Sequence, residues 1–127
     1  DAPSSGSIFV GGVVSYAKIC KSQVLGVPPD LLTSRSAVCA EVASSMAAGA
    51  LQLCPAADVV IAVTCVGGPD PDEDGNPVGL SFLAVQRRGA AARVRRYDIE
   101  EQSSGRIRGE VMTLALRLLC DELKSGS

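Results

Sequence analysis

Apolar positions along the chain fall into periodic blocks separated by glycine, proline and acidic residues. From Val38 to Leu53, apolar or small residues recur at 38, 42, 46, 49 and 53, the spacing of one helix face. This predicted helix is rich in Ala and Gly, which lets it pack closely on a sheet, and Glu41 suits the positive end of its dipole. Ala57–Cys65 (ADVVIAVTC) is a nearly continuous β-branched run, as in a strand buried on both faces. Val78–Gln86 and Ala92–Ile99 predict two strands joined as a hairpin at Arg88-Gly89. Gly105–Leu123 predicts a last helix, with Ile107, Val111, Leu114, Leu118 and Leu119 facing inward and Ser104 as its N-cap.

The first part of the chain is more broken. Ile8–Ser15 predicts a strand interrupted by Gly11-Gly12. Ala17–Val24 predicts a short helix closed by Gly26, and Pro28-Pro29 stops it before another short helix at Asp30. The order strand, short helices, helix, strand, hairpin, helix predicts an α/β class, a layered single domain over residues 1–127 with a mixed β-sheet flanked by helices.

Composition narrows the chemistry. With 46% hydrophobic and 20% charged residues, the 127-residue chain has the balance of a globular core. A net charge of −2, no Trp and only Phe9, Phe82, Tyr16 and Tyr97 as aromatics argue against a nucleic-acid partner. No apolar run approaches the roughly 18–20 residues of a membrane span, and no membrane partner is expected. The chain has no histidine, which excludes Ser-His-Asp and Cys-His catalysis and every His-ligated metal site. Five cysteines, without a CxxC pair, read as free buried thiols of a reducing cytoplasmic setting.

Asp70-Pro-Asp72-Glu-Asp74-Gly75 copies the start of a calcium loop, but its twelfth position is Ser81 rather than a bidentate Glu, so it reads as an acidic surface loop. Residues 87–108 carry seven arginines, read as solvated faces or as an anion-accepting or docking patch. Val63-Thr64-Cys65-Val66-Gly67-Gly68-Pro69 runs a buried strand into a glycine pair. Such a place lets backbone N–H groups approach a phosphate. Tyr16 and Lys21 follow the first predicted strand, and a lysine near a pocket can activate a hydroxyl or bind an anion. Ser5, Ser7 and Cys65 are other conceivable nucleophiles beside Lys21.

Taken together these segments resemble the CinA C-terminal domain family. Gly11-Gly12-Val13-Val14-Ser15-Tyr16, Lys21 and Leu25-Gly26-Val27-Pro28 are similar to its GGVVxY…K…LGVP segment. Ala37-Val38-Cys39-Ala40-Glu41-Val42-Ala43 resembles its AVSxEVA helix start. Thr64-Cys65-Val66-Gly67-Gly68-Pro69 resembles its TGIAGP loop, and Pro77-Val78-Gly79 the PVG after it. The resemblance implies a nicotinamide-nucleotide amidase, which turns nicotinamide mononucleotide into nicotinate mononucleotide and ammonia without metal or cofactor. It implies Tyr16 and Lys21 as catalytic residues. Ser5, Thr64, Gly67, Gly68 and Arg106 would bind a small-molecule nucleotide.

The family's serine nucleophile lies in an ESCTGG segment that these residues do not contain; it would fall before Asp1. Its PGSS turn reads Pro3-Ser4-Ser5-Gly6. Its GDR turn aligns with Gln102-Ser103-Ser104, leaving Arg106 to replace the arginine. Efficient amide hydrolysis is therefore not expected of these residues alone. The alternative is a non-catalytic module that binds a nucleotide or another subunit. A homo-oligomer is expected, because a domain this small leaves sheet edges or apolar faces to cover.

Overall fold

The structure, a computed structural model, describes residues 8–100 and 103–125. Its elements are α1 (Lys18–Leu25), α2 (Pro29–Ser34), α3 (Ala40–Leu53), β1 (Val59–Cys65), β2 (Leu80–Arg87), β3 (Arg93–Asp98) and α4 (Ser104–Ser125). The strands form one sheet in the order β1-β2-β3, with α3 against one face and α4 against the other. The layered α/β architecture is as the pattern predicts.

The sheet among the described residues is antiparallel throughout rather than mixed. The difference lies in residues 8–15, which form no strand. Ile8, Phe9, Val10 and Val14 are exposed, and the segment joins no strand ladder. A strand needs a neighbour to satisfy its backbone, and among the described residues nothing pairs with the outer edge of β1.

The core is built around β2, where Leu83, Ala84 and Val85 are completely buried. On one side Val42, Ala43, Met46 and Ala47 of α3 close over Ala62 and Ala84. The buried face of α3 thus runs through 42, 43, 46, 47 and 51, while Leu53 is exposed. The small residues of α3 serve a second contact. A Cβ at Gly49 would lie 1.8 Å from the carbonyl oxygen of Leu25, so α1 crosses α3 where only glycine fits. On the other side Ile107, Val111, Ala115 and Leu118 of α4 cover Leu83 and Val85. There β1 is not fully buried as predicted: Val59, Ile61, Val63 and Cys65 remain half-buried.

Ser103, not Ser104, opens α4, since its carbonyl accepts the amides of Arg106 and Ile107. Most arginines of 87–108 tie elements together instead of forming one patch. Arg88 donates to the carbonyls of Leu51, Cys54 and Ala57, which satisfies the free end of α3. Arg87 and Arg93 hold Glu122 of α4 at 2.7 and 2.6 Å, and together depress its carboxyl below the usual range. Arg96 pairs with Asp98 at 3.1 Å and lies over the Phe82 ring.

Candidate functional site

Lys21 is buried, 6% exposed on the inner face of α1. Its ammonium donates to the carbonyl of Ser15, the residue before Tyr16. Burial lowers its pKa below the ordinary lysine value, while Cys20 and Cys65 push it back up. Burial also raises the Cys65 thiol, opposed by Lys21 and then Arg108. These mutual effects put the Lys21 amine within electrostatic reach of the end of β1, two residues before Gly67.

The chain leaves the sheet there. The Val66 amide donates to Leu80 O at 2.9 Å and the Gly79 amide to Val66 O at 2.8 Å, which clamps both ends of the 67–78 loop. Gly68 takes φ 79°, left-handed backbone that suits glycine, and the Gly68-Pro69 bond is cis. Gly79 has φ 94° and faces the carbonyl of Ile99, with no room for a Cβ.

The loop's acidic residues are largely spoken for. Asp72 accepts the amides of Asp74 and Asn76 at 3.0 and 2.8 Å and the Asn76 side chain at 2.8 Å. Asn76 also donates to Ser36 Oγ at 3.1 Å, and Ser36 sits at a strained φ of 127°. Lys18 of α1 pairs with Glu73 and Asp74 at 3.1 and 3.0 Å. The loop is thereby docked on α1 one turn from Lys21, and no cluster able to hold a metal occurs among the described residues. The five thiols are free, and of them Cys39 alone is fully buried.

The remaining sequence-predicted residues divide clearly. Thr64 is buried and donates its hydroxyl to Ala37 O at 2.6 Å, so it braces the start of α3. That proton is not free for a ligand. Tyr16 is 97% exposed, and its ring does not accompany Lys21 inward. Arg106 is exposed in the first turn of α4. Ser5 and Ser7 lie outside the described residues.

Arg108 is the arginine that reaches the glycine loop. A Cβ placed on Gly67 would meet its Cγ at 4.0 Å. Sequence reasoning missed it because Arg106 and Arg108 flank Ile107 symmetrically, about 100° to either side on a helix. Periodicity does not tell which flank faces β1. Two shallow grooves elsewhere, one around Tyr97 and Leu114 and one around Glu41 and Val94, include none of these residues. The candidate site therefore combines a buried amine, a glycine loop and one arginine near the end of β1.

The sequence profile of the CinA C-terminal domain matches residues 1–123. The chain belongs to the CinA C-terminal domain family. A CinA-like protein of Geobacter sulfurreducens is 41% identical over 97 residues, covering 76% of this chain and 23% of that protein. A CinA-like protein of Mycobacterium avium is 39% identical over 95% of this chain and 29% of its own length. The chain thus spans about a quarter of these curated relatives. Competence damage-inducible protein A from Klebsiella pneumoniae has the same fold, with a TM-score of 0.91, 28% identity and coverage of 99% of this chain and 76% of that one. Competence/damage inducible protein CihA from Agrobacterium tumefaciens gives a TM-score of 0.78 at 31% identity, over 84% of this chain and 64% of that one. No helix among the described residues is long and apolar enough to cross a membrane.

Proposed function

We propose that this CinA C-terminal domain is a divergent member of the nicotinamide-nucleotide amidase line, in which it supplies the lysine and the glycine loop of the site. The observation that carries the reading is the buried Lys21 amine, which interacts electrostatically with Cys65 at the end of β1, two residues before Gly67. A lysine with a depressed pKa has more neutral amine at a given pH, which can accept a proton from an attacking hydroxyl. Amides of the glycine loop and the Arg108 guanidinium would face the nucleotide phosphate. Hydrolysis then adds water across the amide: the carbonyl carbon gains oxygen, the C–N bond breaks, and ammonia leaves.

The residues at hand hold no match to the family's ESCTGG serine, and Tyr16 points to solvent. These facts favour a second reading for the chain as it stands, a module that binds the nucleotide without cleaving it. Both readings fit a cytoplasmic, homo-oligomeric protein.

Isothermal titration with nicotinamide mononucleotide, paired with an ammonia-release assay, tests them. The amidase reading expects binding and ammonia, and Lys21→Ala abolishes release in a folded protein. Binding without ammonia supports the second reading. Neither binding nor release overturns both.

A further inference from the structure

The glycine pair sits in a loop that is held at both ends and at its tip. At the ends, Val66 is bonded to Leu80 and Gly79. At the tip, residues 72–76 close on themselves. The Asp72 amide donates to Asn76 O at 3.2 Å, and the Asp72 carboxylate accepts the Asn76 amide and side chain at 2.8 Å each. Between the clamp and this turn lie residues 67–71, in which Pro69 and Pro71 have no amide. Among the described residues no hydrogen bond engages the amides of Gly67 and Gly68. Their freedom is therefore set by how firmly the 72–76 turn is anchored.

The inner anchor is the connector before α3. Asn76 donates to Ser36 Oγ at 3.1 Å. Ser36 is 3% exposed, and among the described residues it is the one non-glycine with a positive φ, 127°. Such backbone is strained and persists only where its surroundings fix it. Here three bonds converge on one hydroxyl. It accepts from Asn76 and from the Val38 amide at 3.0 Å, and it donates to the Val38 carbonyl at 3.2 Å. The next two residues of the connector grip the ends of the loop. Ala37 O accepts the Thr64 hydroxyl at 2.6 Å, and Val38 packs on Val66 and Leu80. Lys18 also pairs with Glu73 and Asp74, but ion pairs open to solvent hold a chain only weakly.

We propose that Ser36 and Asn76 are positioning residues: their hydrogen bond fixes the 72–76 turn and so keeps the Gly67 and Gly68 amides in one arrangement. Neither side chain reacts. When the bond is cut, the Ser36 hydroxyl keeps only Val38, and the 67–71 span loses its far support. The service to a ligand rests on the reading of the site as a nucleotide site, in which those amides meet the phosphate. Amides held in place beforehand spare the cost of ordering the loop on binding.

NMR backbone relaxation on the 127-residue chain and its variants reads the loop directly. In the parent the Gly67 and Gly68 amides should have order parameters of about 0.85. In Ser36→Ala and in Asn76→Ala they should fall below about 0.6, with those of β2 unchanged. The double variant should be no looser than the looser single one, because both changes remove the same bond. Ser36→Gly separates positioning from stability. Glycine relieves the positive φ, so this variant should melt above Ser36→Ala and yet leave the pair as mobile. By isothermal titration, each loosened variant should bind nicotinamide mononucleotide about tenfold or more weakly than the parent. Glycine amides that are mobile in the parent, rigid in the variants, or progressively looser from single to double overturn the proposal. So do loosened variants that bind the nucleotide as the parent does. A parent that binds no nucleotide overturns the reading of the site but not the role of the bond, which the order parameters then decide.

Discussion

On the α3 side of the sheet, Val42, Ala43 and Ala47 are completely buried against Ala62 and Ala84, and α1 closes over them at Gly49. On the α4 side, the central strand is equally buried, but β1 keeps Val59, Ile61 and Val63 half-buried and α4 shows a leucine-rich stripe to solvent. The first face is finished by small residues that admit backbone contact. The second ends at a helix broad enough to cover β2 and too narrow to cover β1. One side of this sheet is closed by tight packing, and the other leaves apolar surface partly open along β1 and α4.

Gly49→Val attacks the finished face most severely, because its Cβ would collide with the Leu25 backbone. No cooperative melting transition is expected, and calorimetry will show whether one survives. Leu83→Ala removes a fully buried side chain and should cost about 2–5 kcal/mol by urea titration. Arg88→Ala frees the carbonyls of Leu51, Cys54 and Ala57, with an expected loss of about 1–3 kcal/mol in the same experiment.

Glu122→Gln reports on the pinning of α4 and has a pH signature. The Glu122 carboxyl is depressed by Arg87 and Arg93, so its contribution is present above the unfolded value, about 4.3, and disappears as pH falls through the lower folded one. The variant should melt below the parent at neutral pH, and the gap should close in acid. A gap independent of pH would mean that packing, not charge, is lost. On the open face, Leu116→Ala should change stability by no more than about 0.5 kcal/mol, against the large cost at Leu83.

The sequence reading located the elements within a few residues because their apolar periods are strong, as in α3 and α4. It erred where a period needs a neighbour to have meaning. Residues 8–15 have strand composition, yet pair with nothing among the described residues. The continuous run of β1 suggested burial on both faces, but α4 leaves its outward row half-open. At the site, Lys21 and the glycine pair were visible as residue types. The commitment of Thr64 to Ala37 and the approach of Arg108 depend on contacts between distant segments, which spacing does not encode.

Everything at the site turns on Lys21 being a buried amine of lowered pKa that meets the nucleotide. The chain has three lysines, Lys18, Lys21 and Lys124, so NMR of selectively labelled lysine side chains can follow each one through a pH titration. One resonance, assigned by its loss in Lys21→Met, should titrate below the ordinary lysine value of about 10.4 and shift when nicotinamide mononucleotide is added. A Lys21 resonance that titrates normally and ignores the nucleotide would contradict the account.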